Sequence, residues 1–169
     1  YSLNKKRSSI FAQKIKLGFL QAYRGDQMAI PTTRKFYSGG SNSIRGWRSQ
    51  ELSPVQLVQS IRDSLLNISL VSSGGTLLIE GSTEYRWRFL ENAGLSIFAD
   101  YGNVFNGVGD FAIEQIAVAA GLGFRYYTQI APFRIDFGFK VIDPNDRRSF
   151  LKKPFFSLME FHFGIGEAF

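Results

Sequence analysis

An all-β, antiparallel fold is what this sequence predicts, on three observations. Apolar and polar residues alternate with a period of two along six separate segments. Phenylalanine and glycine are equally abundant, 17 of each in 169 residues, which suits strands with an aromatic face and a backbone that bends or packs closely elsewhere. The connections between the segments alternate between tight and long. No uninterrupted apolar run approaches the roughly 20 residues of a membrane-spanning helix, which excludes a helical membrane protein. A transmembrane barrel stays open, because alternating strands look soluble to a hydropathy average.

The first segment, FAQKIKLGFLQAY at 11–23, sets Ile15, Leu17 and Phe19 against Lys14, Lys16 and Gly18. A long connection follows, over about 24–74. Within it SPVQLVQSIRDSLLN breaks the alternation and predicts a short helix over about 54–66, with Ser53 as N-cap, Pro54 at the first helical position and Gln56 completing a capping box. Val58, Ile61 and Leu65 form its apolar stripe.

TLLIEGSTEYRWRF at 76–89 returns to period two, with Ile79, Thr83, Tyr85, Trp87 and Phe89 opposed to Glu80, Ser82, Glu84, Arg86 and Arg88. After the tight LENAG comes a strand at 93–102 that sets Leu95 and Ile97 against Asp100. In IAVAAGLGFRYY, Ile116, Val118, Leu122, Phe124 and Tyr126 oppose Ala117, Ala119, Gly121, Gly123 and Arg125. The tight TQIAP leads to Phe133, Ile135, Phe137 and Phe139 opposed to Arg134, Asp136, Gly138 and Lys140. The last segment, 159–169, opposes Phe161, Phe163, Ile165 and Phe169 to Glu160, His162, Gly164 and Gly166.

A soluble antiparallel sandwich and a membrane barrel both satisfy this alternation. Polar faces that mix charge with Gly and Ala, short turns facing long loops, and a final strand closing on an aromatic residue favour the barrel. With no cysteine, disulfides and thiolate metal sites are excluded, and the single histidine removes the usual metal clusters. The net charge of +6 is spread over the chain, with only short basic runs at Lys5–Arg7, Arg147–Arg148 and Lys152–Lys153, so it fits an anionic lipid surface better than nucleic acid. An enzyme needs a nucleophile with its base, or a metal; Glu80 and Glu84 share a face, but Arg86 and Arg88 beside them read as charge compensation, and the expectation is no enzyme and no cofactor. The chain starts at Tyr1 without a methionine or signal-peptide pattern, as an excised piece does.

The connection at 34–47, RKFYSGGSNSIRGW, is the most distinctive stretch. Gly39 and Gly40 permit sharp turning, and a phosphate cradle is excluded because no Gly-Lys-Ser/Thr completes SGGSNS. FYSGGSNSIRGW resembles the sixth-loop signature of the bacterial outer-membrane insertase superfamily, the BamA- and TamA-like bacterial surface antigen family that also includes two-partner secretion translocators. Its core is the triplet Arg45, Gly46 and Trp47. STEYRW, FADYGNVF, GLGFRYYTQIAPFRIDFG and FHFGIGEAF are similar to the strands that follow, in the same order, so the resemblance covers most of the chain from about Arg34 onward.

The resemblance implies that residues 1–169 are the C-terminal part of a sixteen-stranded antiparallel transmembrane β-barrel in the bacterial outer membrane, with periplasmic domains and the first strands upstream. It implies that the long extracellular loop folds into the lumen, that Arg45 meets Glu84 and Asp100 on the wall, and that Trp47 packs as a plug. An arginine suits that role because its planar fork fixes a register that a lysine holds loosely. It implies a last strand, with Phe161, Phe163, Gly164, Gly166 and Phe169, that serves as lateral gate and insertion signal. The implied partners are outer-membrane lipid, unfolded client barrel proteins, accessory lipoproteins and periplasmic chaperones. Two functions stay open at this point: a factor that inserts client barrels, and a secretion pore for an unfolded protein.

Overall fold

The computed structural model describes residues 9–23, 30–62, 65–146 and 155–166. Six strands, β1 (Ser9–Phe19), β4 (Leu77–Arg88), β5 (Ala93–Phe105), β6 (Ala117–Tyr127), β7 (Pro132–Ile142) and β8 (Met159–Ile165), form one antiparallel sheet in the order β1-β4-β5-β6-β7-β8. Neighbours in sequence are neighbours in space, as short turns require. The exception is the 20–76 excursion, which leaves β1 and returns to pair β4 against it.

The alternation read in the sequence divides the sheet into two chemically opposite faces. Ile15, Leu17, Ile97, Leu122, Phe161 and Phe163 point outward and are exposed, whereas Glu80, Ser82, Glu84, Arg86, Asp100, Arg125, Arg134 and Asp136 are buried on the inner face. A water-soluble sandwich has the reverse arrangement. What buries the inner face is the excursion itself, which folds back across it. Reciprocal backbone hydrogen bonds of 2.9 Å between Phe36 and Gly75 close the base of this loop, and Phe36 packs over Gly18 of β1.

The helix expected over 54–66 is replaced by a hairpin. Strands β2 (Val55–Arg62) and β3 (Leu65–Ser72) pair as a separate two-stranded sheet. The capping signal is genuine chemistry put to another use: the Ser53 hydroxyl accepts the backbone N–H of Ser38 at 3.0 Å instead of capping a helix. The Pro54 carbonyl accepts both the N–H of Ser73 at 2.8 Å and its hydroxyl at 3.0 Å, which closes the hairpin base. With β-rich LLNISLVS available alongside, ladder pairing wins over the local start signal, helped by Val and Ile, each of which costs about 0.5 kcal/mol in a helix relative to Ala.

A single helical turn, α1 (Phe155–Leu158), precedes β8. The terminal Phe169 lies outside the described residues.

Candidate functional site: a buried arginine and its wall

Residues 38–53 carry the site, and tight turns shape them. Ser43 N–H bonds to Gly40 O, Trp47 N–H to Ile44 O, and Gly40 N–H reaches across to Trp47 O at 2.9 Å. Gly39 and Gly40 have φ of +99° and +106°, and a Cβ on Gly39 would sit 2.4 Å from the Arg48 carbonyl oxygen, so only glycine fits that turn. Ile44, Trp47 and Leu52 are buried with Ala117 and Ala119 of β6, a small apolar core inside an otherwise polar face. Trp47 is thus held at one end of the motif. Lys140 lies 5.3 Å from its ring centre.

Between those apolar anchors, Arg45 is driven into the sheet and is 1% exposed. Its Nε and Nη2 donate to the two carboxylate oxygens of Asp100 at 2.8 and 2.9 Å, a bidentate pair. Nη1 donates to Glu84 at 2.8 Å and lies 3.5 Å from Asp136, and the backbone N–H adds a further bond to Asp100 at 3.1 Å. The guanidinium stacks on the Phe98 ring, 3.4 Å from its centre. Burial pulls the Arg45 pKa down, but the hydrogen bond to Asp100 and the charges of Asp100, Glu84 and Asp136 outweigh it, so the net shift is upward. The loop therefore carries a permanent positive charge.

The wall is prepared for that charge. Arg125 donates to Glu84 at 2.9 Å and to Asp136 at 2.6 Å, and Arg86 donates to Glu84 at 2.9 Å. Ser82 donates to Asp100 at 2.6 Å. The three acids and the arginines around them form one buried lattice, in which wall arginines also hold Glu84 and Asp136 and Ser82 also holds Asp100. Glycine supplies the clearance: a Cβ on Gly138 would lie 2.0 Å from the Arg45 carbonyl oxygen, and one on Gly46 would lie 2.9 Å from Ala119 Cβ. Phe98 in turn fills the space over Gly121.

A second anchor lies one turn earlier. Ser38 and Ser43 both donate to the buried Glu80 carboxylate, Ser38 at 2.7 Å, and Lys16 of β1 lies 3.5 Å from it. Lys14 of β1 donates to the Asn42 carbonyl at 3.0 Å.

Sequence reasoning paired Arg45 with Glu84 and Asp100, and the structure brings these three together. It missed Asp136, Phe98 and Gly138. Each lay in plain view on a polar face: Phe98 between Ser96 and Asp100 is an aromatic at an inner-face position, and Gly138 follows Asp136 by the period of two. The last strand divides as its alternation implies. Phe161 and Phe163 project outward beside Phe137 and Phe133, with ring centres 5.4 and 6.3 Å apart. Gly164 lies under the Arg134 side chain, and Gly166, at φ +90°, donates to Pro132 O at 2.7 Å.

The profile of the Omp85 superfamily domain matches residues 1–169, the full length of the chain. The chain belongs to the Omp85 superfamily. It is similar to the outer membrane protein assembly factor BamA of Nitratidesulfovibrio vulgaris (strain Hildenborough), with 27% identity over 135 residues. That match covers 78% of this chain and 16% of the relative, so the chain spans a small part of the curated relative's length. Membership makes this Omp85 chain an integral protein of the bacterial outer membrane. The exposed aliphatic and aromatic outer face is then the lipid-facing surface, and the buried charges are the side turned away from lipid.

Proposed function

We propose that the full-length protein is an outer-membrane protein assembly factor that inserts and folds client β-barrel proteins through a lateral gate. In this reading the six strands are the C-terminal part of a sixteen-stranded barrel, and the long extracellular loop descends into its lumen. One observation carries the proposal: Arg45, at the tip of a long loop, is buried against three carboxylates on β4, β5 and β7. A passive pore gains nothing from blocking its own lumen with a charge that is costly to bury. A protein that must hold one barrel shape until a client arrives does gain from it.

The work is done by templating and bilayer disturbance, with no bond chemistry and no cofactor. An extended client segment adds to the edge of β8 by backbone hydrogen bonding, and β8 is suited to exchange because it is short and Gly164 gives it little side-chain packing. Outer-membrane lipid, unfolded barrel clients, accessory lipoproteins and periplasmic chaperones are the partners this activity needs.

The test is reconstitution of the full-length parent in liposomes, with the folding of an unfolded barrel client followed for wild type and Arg45→Ala. Acceleration by the wild type that is lost in the variant supports the assignment. No acceleration under conditions where another insertase works transfers the protein to the secretion pores.

A further inference from the structure

The inner face of the β7–β8 ladder carries three consecutive cross-strand pairs, Arg134 with Gly164, Asp136 with His162 and Gly138 with Glu160. Each pair is gripped by a different loop residue. Asn42 accepts from Arg134, whose guanidinium covers Gly164. Arg45 reaches Asp136 with its side chain, and its backbone carbonyl accepts from His162 Nε2 at 2.9 Å. Arg48 donates to Glu160 at 3.0 Å, over the place where Gly138 admits the Arg45 carbonyl. One step further along, Glu51 accepts from Lys140 of β7 at 2.9 Å.

The gripping residues recur every third position in the loop, 42, 45, 48 and 51, and the rungs they hold recur every second position: Arg134, Asp136 and Lys140 are held on β7, and Glu160 of β8, the cross-strand partner of Gly138, is held at the rung between Asp136 and Lys140. A loop built from successive tight turns and an extended strand therefore advance in step. The coincidence matters for β8. Its outward side chains touch only β7 phenylalanines in the described ring contacts, and no strand pairs with its second edge among the described residues. The loop supplies its inner contacts.

We propose that residues 42–51 are an internal clamp on the last two strands, so that β8 peels away only when the loop lifts. The clamp deepens the gate reading above and rests on it for its functional meaning. His162 is the positioning residue of the device: a carbonyl accepts only, so the imidazole must present an Nε2–H, and this bond ties the edge strand to the backbone of the pinned arginine. Loop release and edge release are then one event, driven by whatever displaces Arg45.

Hydrogen exchange of the full-length parent in phospholipid vesicles reads β8 directly. In His162→Ala, amides of 159–165 exchange about tenfold faster, the consequence of losing one such hydrogen bond, while peptides from β4 to β6 keep wild-type rates. His162→Gln retains a donor and restores most of the protection. Wild-type exchange in β8 of a folded His162→Ala barrel overturns the clamp, and so does an equal rise across β4 to β6, which is general destabilisation. Should His162→Ala not insert, Asn42→Ala and Arg48→Ala decide the matter: faster exchange confined to β8 supports the clamp, and unchanged β8 exchange refutes it. No client is present in this measurement, so the clamp and the insertase assignment fail separately.

Discussion

Removing Arg45 strands its acids unequally, and that inequality yields a sharp prediction. Glu84 keeps Arg125 and Arg86, and Asp136 keeps Arg125. Asp100 has Arg45 as its one ion-pair partner among the described residues, with Ser82 as the remaining hydrogen-bond donor from a side chain. Arg45→Ala should therefore cost roughly 3 to 5 kcal/mol, most of it from Asp100 left charged and fully buried. Adding Asp100→Asn removes that charge and should recover at least about 1 kcal/mol, a rescue diagnostic of a stranded acid. Adding Glu84→Gln instead should make matters worse, because it removes the charge that Arg86 and Arg125 share at Glu84 without relieving Asp100. Equilibrium urea unfolding of the full-length barrel in vesicles gives the three midpoints, with band shifts on unheated gels as a check on the folded fraction. A double-mutant coupling between Arg45 and Asp100 below about 0.5 kcal/mol would refute the claim that the bidentate pair pins the loop.

Other consequences are simpler to read. Phe98→Leu keeps an apolar side chain but removes the ring face under the guanidinium, and should cost about 1 kcal/mol or more in the same unfolding assay. Trp47→Ala empties the apolar anchor beside Ile44 and Leu52 and should cost roughly 3 to 5 kcal/mol; the surviving Trp87, on the outer face, then reports unfolding by fluorescence. Gly138→Ala puts a methyl 2.0 Å from the Arg45 carbonyl oxygen and should expel the loop, seen as new protease cleavage within 39–53, while Gly109→Ala, with nothing within 4 Å, leaves the cleavage pattern unchanged.

Strand identity and facing were legible because a transmembrane-type strand needs only local alternation, and β4 to β8 each carry it, with Leu78 and Phe98 as apolar exceptions on the inner face. The residues of the site were half legible. Arg45, Glu84 and Asp100 stand out as charges at inner-face positions or in a glycine-rich loop. Phe98 and Gly138 take their meaning from what lies across from them, which no local pattern states. The hairpin at Val55–Ser72 shows the opposite error. Its first half carries a sound helix start signal, and the outcome turned on a partner strand and on Ser38 claiming the Ser53 hydroxyl.

By itself, then, the sequence determined six alternating strands, a polar side and an apolar side, and a motif placing one arginine between apolar residues, because these depend on the order of residues along a strand or turn. Tertiary structure decided which carboxylates share that arginine, how the loop advances along the last two strands and why Gly138 must stay bare. Those are distances between segments as much as 117 residues apart, as for His162 and Arg45, and they are fixed only when sheet and loop close on each other.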